Sequence, residues 1–419
     1  MAAPELLFEP LRTPDVMAAK LLIQGGSARD ARHQRGAHQL LASLLTRGCG
    51  PFDHRQLADL VEGRGAGLRC EAHEDALLIS LRCLHNDAMD LLPILGWMIS
   101  APHLNQEQLE LERDLALQAL QRQREDPFQI AFDGWRELVY GEGAYGHDPL
   151  GVEQDVVGLR RRDLSPLANG LSQERSVLAI AGVWPKAIET ELLLQKAFSD
   201  WSSATPPLID AVATDPSGTE TPGAGVLVRE QDTEQVVMML GQATVPHGHS
   251  DDLALRLLQA HLGLGMSSLL FRCLREEHGV AYDVGLHHPC RAGAAPFVMH
   301  ASSGADRAEL TLQLLLDIWN ELLSKPISDQ DLALAKSKFI GQMAHSHQTS
   351  SQRAERRVQL RGLGLPDNHD QRMRQQLEQV SADDLLKVAA QRLGHPQLSL
   401  CGPADRLKTM QHWWNGVQG

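Results

Sequence analysis

The stretch 202-SSATPPLIDAVATDPSGTETPGAG-225 decides how the rest of the chain is read. It is rich in Pro, Ser, Thr and Gly and has little periodicity, the marks of a linker. It divides the 419 residues into two halves of nearly equal length, which calls for a search for an internal repeat.

The halves run in parallel. In the first, "AAKLLIQGG" reads as a strand, followed by a helix from Gly36 and a helix "DHRQLADLVEG". Two strand-like runs come next, "AGLRCEAH" and "ALLISLRCL", then a helix "DAMDLLPILGWMI" and the longer, charged "NQEQLELERDLALQALQRQRED". The second half opens on the strand "QVVMMLGQATV" and the helices "DDLALRLLQAHLG" and "SSLLFRCLREEHG". The strand-like runs "AYDVGLHH" and "PFVMHASS" follow, then "RAELTLQLLLDIWNELL" and "SDQDLALAKSKFIGQMAHSH". Each half closes on strand, turn and helix, in "SVLAIAGVWPKAIETELL" and "QLSLCGPADRLKTMQHW". Strands that come as adjacent pairs as well as between helices suit an α+β sandwich better than a doubly wound sheet. The expected fold is α+β, two homologous domains of ~200 residues, each an antiparallel-rich sheet packed with helices. The expected boundaries are 1–204, a linker 205–224, and 225–419.

Bulk composition narrows the function classes. With 43% hydrophobic and 22% charged residues, the chain is ordinary for a soluble globular protein. A net charge of −14 argues against nucleic-acid backbones and anionic membranes as main partners. Six scattered cysteines without C-x-x-C spacing read as reduced, mostly buried thiols. The start has no basic n-region and no apolar h-region, and no run approaches the ~18 apolar residues of a membrane span. A cytoplasmic protein is expected.

The stretch 35-RGAHQLLASLLTRGCG-50 carries the first chemical question. A zinc hydrolase helix places two imidazoles at i and i+4 to hold the metal, with a carboxylate close by to take a proton from bound water. The inverted version of that motif is H-x-x-E-H. Here the residues are His38, Gln39, Leu40, Leu41 and Ala42. Read alone, this is a core helix with one polar residue.

Its surroundings change the reading. The stretch resembles the metal helix of the pitrilysin and insulinase family of zinc peptidases, which reads like R-G-x-A-H-F-x-E-H. "GEGAYGHDPLGVEQDV" (141–156) looks like that family's Y-G-H-P-x-x-G-x-x-E, and "VLAIAGVWPKAIE" like its strand ending A-G-D before a helix. "LGLGMSSLLFRCLREEHGVAYDVG" (262–285) is similar to its L-G-x-G-x-S-S-R-L-F-x-x-L-R-E-K-x-G-L-A-Y-x-V. With the duplicated halves, the resemblance covers essentially the whole chain. It implies a mitochondrial-processing-peptidase-like, LuxS-like metallohydrolase fold.

The resemblance puts the family's first metal histidine on His38, its catalytic glutamate on Leu41 and its second histidine on Ala42. In "LELERDLALQALQRQREDP", Glu112 takes an earlier glutamate position and Ala119 that of the third metal ligand. Three of four chemical positions are aliphatic, and one imidazole cannot replace a set of three or four ligands. No metal is expected in this half. The resemblance places the family's arginine and tyrosine, which lie across from the metal, on Arg275 and Tyr282. A guanidinium and a phenol donate hydrogen bonds to a peptide carbonyl and to the oxyanion formed when water attacks. Leu269 stands where arginine is common, and His278 replaces a variable residue.

Other signals are weaker. "PHGHS" (His247, His249), "LHHP" (His287, His288) and "AHSHQ" (His345, His347) have no carboxylate or cysteine at a matched spacing and read as surface or loop histidines. "LGLGMSS" follows a helix, a poor dinucleotide fingerprint. "MQHWWNG" carries exposed-looking tryptophans that would cover a core edge or meet a partner.

The resemblance therefore implies the non-catalytic subunit of a heterodimeric zinc peptidase. Arg275 and Tyr282 would act on an unfolded peptide beside an H-x-x-E-H partner chain, with zinc in that partner and none in this chain. Peptides would bind as an added strand on a sheet edge. The alternative is an inactive scaffold or peptide-binding protein of the same fold. A metallopeptidase using other ligands is the third and weakest reading.

Overall fold

The computed structural model describes residues 4–12, 15–191 and 225–418, so the expected linker lies outside the described residues. The chain forms two compact units, and neither is one continuous segment. Among the described residues, the first comprises 4–12, 15–121, 147–191 and 344–367; the second comprises 122–146, 225–343 and 368–418. Segments 122–146 and 344–367 thus belong with the other half of the sequence, which the parallel order of elements does not announce.

The first unit is built on a five-stranded sheet. Its strands are β1 (Glu5–Pro10), β2 (Val16–Gln24), β5 (Gly67–Ala72), β6 (Ala76–Leu84) and β7 (Ser176–Gly182), with a short hairpin of β3 (Gly48–Cys49) and β4 (Phe52–Asp53) set apart. The order is β1-β7-β2-β6-β5. The β1–β7 pair is parallel and the other three pairings are antiparallel. The second unit repeats this plan with β8 (Val226–Glu230), β9 (Gln235–Ala243), β10 (Asp283–His287), β11 (Pro296–Gly304) and β12 (Gln397–Gly402). Its order is β10-β11-β9-β12-β8, again with one parallel pair, β8–β12. The α+β duplication expected from the sequence is present.

Central strands buried on both faces read as continuous apolar runs, and β2, VMAAKLLIQ, is such a strand. Met17, Ala19, Leu21 and Ile23 face the main core with the helices Ala37–Leu45 and Ala88–Ser100. Leu22 turns the other way, with Leu78, Val177 and Ala179, against Ala354 and Val358 of the helix Ser350–Gly362. The same face holds Lys20, only 6% exposed. Its Nζ donates to Glu355 Oε2 at 2.7 Å and to Ser80 Oγ at 2.8 Å. A buried ammonium needs such partners, so this contact ties the helix to one register on the sheet. Arg353 and Arg361 of the helix add ion pairs to Glu9 and Glu5 of β1.

The second unit has the reciprocal arrangement. The helix Pro127–Tyr140 starts with Pro127 in its first turn and Asp126 accepting from Phe128 N at 2.9 Å, a sequence-encoded start. Its Ala131, Phe132 and Trp135 pack on Val237, Met239, Val298 and Cys401. Trp135 is fully buried, and its Nε1 donates to the Gly241 carbonyl at 3.2 Å. At the C-terminus Trp414 is fully buried in the main core of this unit and Trp413 packs against it, so the tryptophans of "MQHWWNG" cover a core.

Candidate functional site

The helix Ala37–Leu45 starts at Gly36, whose φ of +105° lies in the left-handed region that glycine tolerates. A Cβ there would fall within 3.0 Å of Val156, the Leu150 carbonyl and Gly151. Leu41 and Ala42 are fully buried in the aliphatic core, with no polar atom to offer. His38 is 6% exposed, and its Nδ1 lies 2.6 Å from Asp30 Oδ1. An ionised carboxylate only accepts, so Nδ1 carries the proton in that contact.

Asp30 is the residue missed from the sequence. Its carboxyl is fully buried. It accepts from the backbone N–H of Gly36 at 2.7 Å and of His38 at 3.1 Å, satisfying donors at the start of the helix. His147 Nε2 lies 3.6 Å from its Oδ2 and has no hydrogen-bond partner among the described residues. Burial by itself raises the Asp30 pKa, but His147, His38 and the Gly36 N–H hold the carboxyl below its ordinary value. The imidazole that the resemblance equates with a metal ligand is thus committed to a carboxylate that caps its own helix.

The remaining position of that set is aliphatic as well. Ala119 sits half-buried on the helix Gln106–Gln123. Glu112, about two turns earlier on the same helix, is 8% exposed and accepts from Arg47 Nε at 2.5 Å. One imidazole already bonded to Asp30, two core aliphatics and Ala119 do not make a donor set for zinc.

In the second unit, Arg275 and Tyr282 lie on one continuous segment. Residues Phe271–Glu277 form a π-helical turn, where the sequence suggested an ordinary helix. Gly279, with φ +61°, then lets the chain reverse toward β10. Tyr282 N donates to the Ser302 carbonyl of β11 at 2.7 Å, which fixes the backbone from which the phenol projects. The Tyr282 side chain is strongly exposed, 64% for the residue, and no hydrogen bond engages its hydroxyl among the described residues. Arg275 is exposed, and its guanidinium carbon lies over the Phe271 ring, 5.0 Å from the centroid, a cation–π contact.

The histidine pairs need one correction. His249, His345 and His347 are partly or fully exposed, but His247 and His288 are buried. Asp252, at the start of the helix Asp252–Gly263, draws them in. Its Oδ2 accepts from His247 Nδ1 at 2.7 Å and from Arg256 Nε at 3.0 Å, and its Oδ1 lies 3.8 Å from His288 Nε2. Burial raises the Asp252 pKa, yet Arg256, His247 and His288 hold it well below the usual range. Burial lowers the His288 pKa, and that loss outweighs the Asp252 contact. A carboxylate several residues away from one histidine and far from the other in sequence is what the spacing missed.

The two units, each built on a five-stranded sheet with one parallel pair, place the chain among two-unit proteins of peptidase-family fold. Residues 9–148 match the family described as Insulinase (Peptidase family M16), and residues 169–339 match its Peptidase M16 inactive domain. The chain belongs to the M16 peptidase family. Among its relatives, it is 21% identical over 354 residues to the Uncharacterized zinc protease YmxG of Bacillus subtilis, covering 84% of each chain. It is 23% identical over 373 residues to the Non-peptidase homolog YmxG of Helicobacter pylori, covering 87% of this chain and 83% of that one. Its fold resembles the crystal structure of a peptidase M16 inactive domain from Pseudomonas fluorescens, with TM-score 0.85, 20% identity and 96% of each chain covered. Among the described residues no helix is long and apolar enough to cross a membrane.

Proposed function

We propose that this chain is the non-catalytic subunit of a two-chain zinc peptidase of the M16 family. One observation carries the reading. The segment with Arg275 and Tyr282 presents two exposed hydrogen-bond donors, while the helix with His38 presents aliphatic carbon where metal and base chemistry would be needed. An outward phenol and guanidinium seven residues apart suit the binding of a peptide carbonyl and favour this reading over a pure scaffold.

The chain's own part is to bind and polarise. Tyr282 donates through Oη and Arg275 through its guanidinium to the carbonyl oxygen of a bound peptide. Both bonds strengthen as that oxygen gains charge, which is the condition for lowering a barrier. Water activation falls to the H-x-x-E-H partner, where the zinc is expected; the helix Ala37–Leu45 takes no part in it. The substrate class is an unfolded peptide laid along a sheet edge, with main-chain hydrogen bonds supplying most of the affinity. Six cysteines without a disulfide suit a reducing, cytoplasmic setting.

The test mixes the purified chain with an H-x-x-E-H homologue. The chain alone cleaves no peptide, and the mixture does. Tyr282→Phe lowers turnover of the mixture by about 10²–10³, the cost of one oxyanion donor, and leaves complex formation intact. Turnover unchanged by both Tyr282→Phe and Arg275→Ala would transfer the assignment to the inactive-scaffold reading.

A further inference from the structure

We propose that the π-helical turn Phe271–Glu277 and the residue after it form a surface site for a thiophilic divalent cation, zinc above all. Its ligands are Cys273, Glu277 and His278. One sulfur, one carboxylate oxygen and one imidazole nitrogen there lie within 4.8 Å of one another. This is a different place from the helix Ala37–Leu45, and it shares no residue with Arg275 or Tyr282.

The winding of the turn explains the cluster. His278 N donates to the Cys273 carbonyl at 3.1 Å, an i to i+5 bond. In an α-helix only i+3 and i+4 share a face with i. The wider π turn brings i+5 around as well, so Cys273, Glu277 and His278 meet on one side; such turns recur at functional sites. Arg275 stands two residues from both Cys273 and Glu277 and so points elsewhere.

Distances and donor types favour zinc. Around a tetrahedral zinc, with Zn–S about 2.3 Å and Zn–N about 2.0–2.1 Å, the sulfur and nitrogen sit about 3.6 Å apart. Cys273 Sγ and His278 Nδ1 are 3.8 Å apart. Thiolate, imidazole and carboxylate are all zinc ligands, and the thiolate disfavours magnesium and calcium. Glu277 and His278 are exposed, which leaves a fourth position for water. Without a cation the Cys273 thiol is pushed up by burial and by the negative charges of Glu277 and Asp317, a repulsion that a bound dication reverses.

The protons balance simply. His278 Nδ1 lies 2.9 Å from the Cys273 carbonyl oxygen, which only accepts, so Nδ1 carries the proton there. On binding, the imidazole turns away from that carbonyl, which keeps the His278 backbone N–H as donor, the ring proton passes through solvent to Nε2, and Nδ1 takes the ion. The Cys273 thiol loses its proton to solvent, so one proton leaves per ion bound.

The experiment titrates the full, metal-free chain first with Co²⁺ and then with Zn²⁺. The expected result is one equivalent of Co²⁺ per chain, with a thiolate-to-cobalt charge-transfer band that Zn²⁺ displaces, and about one proton released. Cys273→Ser abolishes the band, and Cys83→Ser keeps it. His278→Ala and Glu277→Gln each weaken zinc binding roughly tenfold or more. Circular dichroism confirms that each variant is folded. No band in the folded wild-type chain, or a band that survives Cys273→Ser, overturns the proposal. Either result leaves the two-chain reading standing, because that reading is tested by turnover.

Discussion

Replacing Asp30 by asparagine isolates what His38 does at the start of the helix Ala37–Leu45. Asn has the same shape but only one acceptor oxygen, and its NH₂ faces donors. The carboxylate accepts from Gly36 N at 2.7 Å, His38 N at 3.1 Å and His38 Nδ1 at 2.6 Å. At least one charge-assisted bond is lost, worth ~1.5–3 kcal/mol, and a buried donor is left unpaired at ~1–3 kcal/mol more. Together these two costs give an expected loss of roughly 2.5–6 kcal/mol. His38→Ala keeps both backbone bonds and costs less, about 1–3 kcal/mol. The folded pKa of Asp30 lies below its unfolded value. Its contribution is therefore present above pH ~3.9 and is lost as pH falls through the folded value. Urea unfolding of wild type and variants across acidic pH reads all three effects. If Asp30→Asn unfolds at the wild-type midpoint and keeps the wild-type acid sensitivity, the capping role assigned to Asp30 is wrong.

Trp135→Ala removes a fully buried indole and its bond to the Gly241 carbonyl, and lowers stability by about 3–5 kcal/mol in the same assay. Leu41→Glu puts a carboxylate into a fully buried aliphatic position; it destabilises by several kcal/mol, on the order of the cost of burying an unpaired polar group, and added zinc does not restore the midpoint. His287 has its pKa pushed down to about 3, first by burial and then by Arg291 and Arg136. Its ring resonances stay constant between pH ~5 and ~8, and it withdraws stability as pH falls below the unfolded value of ~6.5. A ring that titrates near 6.5 in the folded protein contradicts its burial.

The duplicated order of strands and helices was legible because each strand and helix states its period locally, and β2 and β9 are apolar enough to be central. The helices Pro127–Tyr140 and Ser350–Gly362 were not read as exchanged elements. The stretch PFQIAFDGWRELVY announces an apolar stripe, but a stripe does not say which sheet receives it. Asp30 escaped for a similar reason. It precedes His38 by eight residues and stands more than a hundred from His147, and its role exists only once the chain folds. The helix expected at "SSLLFRCLREEHG" is present as a turn over Phe271–Glu277, but its π winding has no local signature in the sequence.

The exchange of helices also sets a timetable. All five strands of the first sheet are complete once residue 182 has been made, but the helix that covers Leu22, Leu78 and Val177 is encoded at 350–362. At about 5–20 residues per second, ribosomal synthesis separates the two events by on the order of ten to forty seconds. During that interval an apolar sheet face, with the Lys20 ammonium set in it, waits for Glu355. A nascent chain arrested before residue 350 should therefore be sticky and chaperone-dependent. A peptide spanning 344–367, supplied in trans, should relieve it.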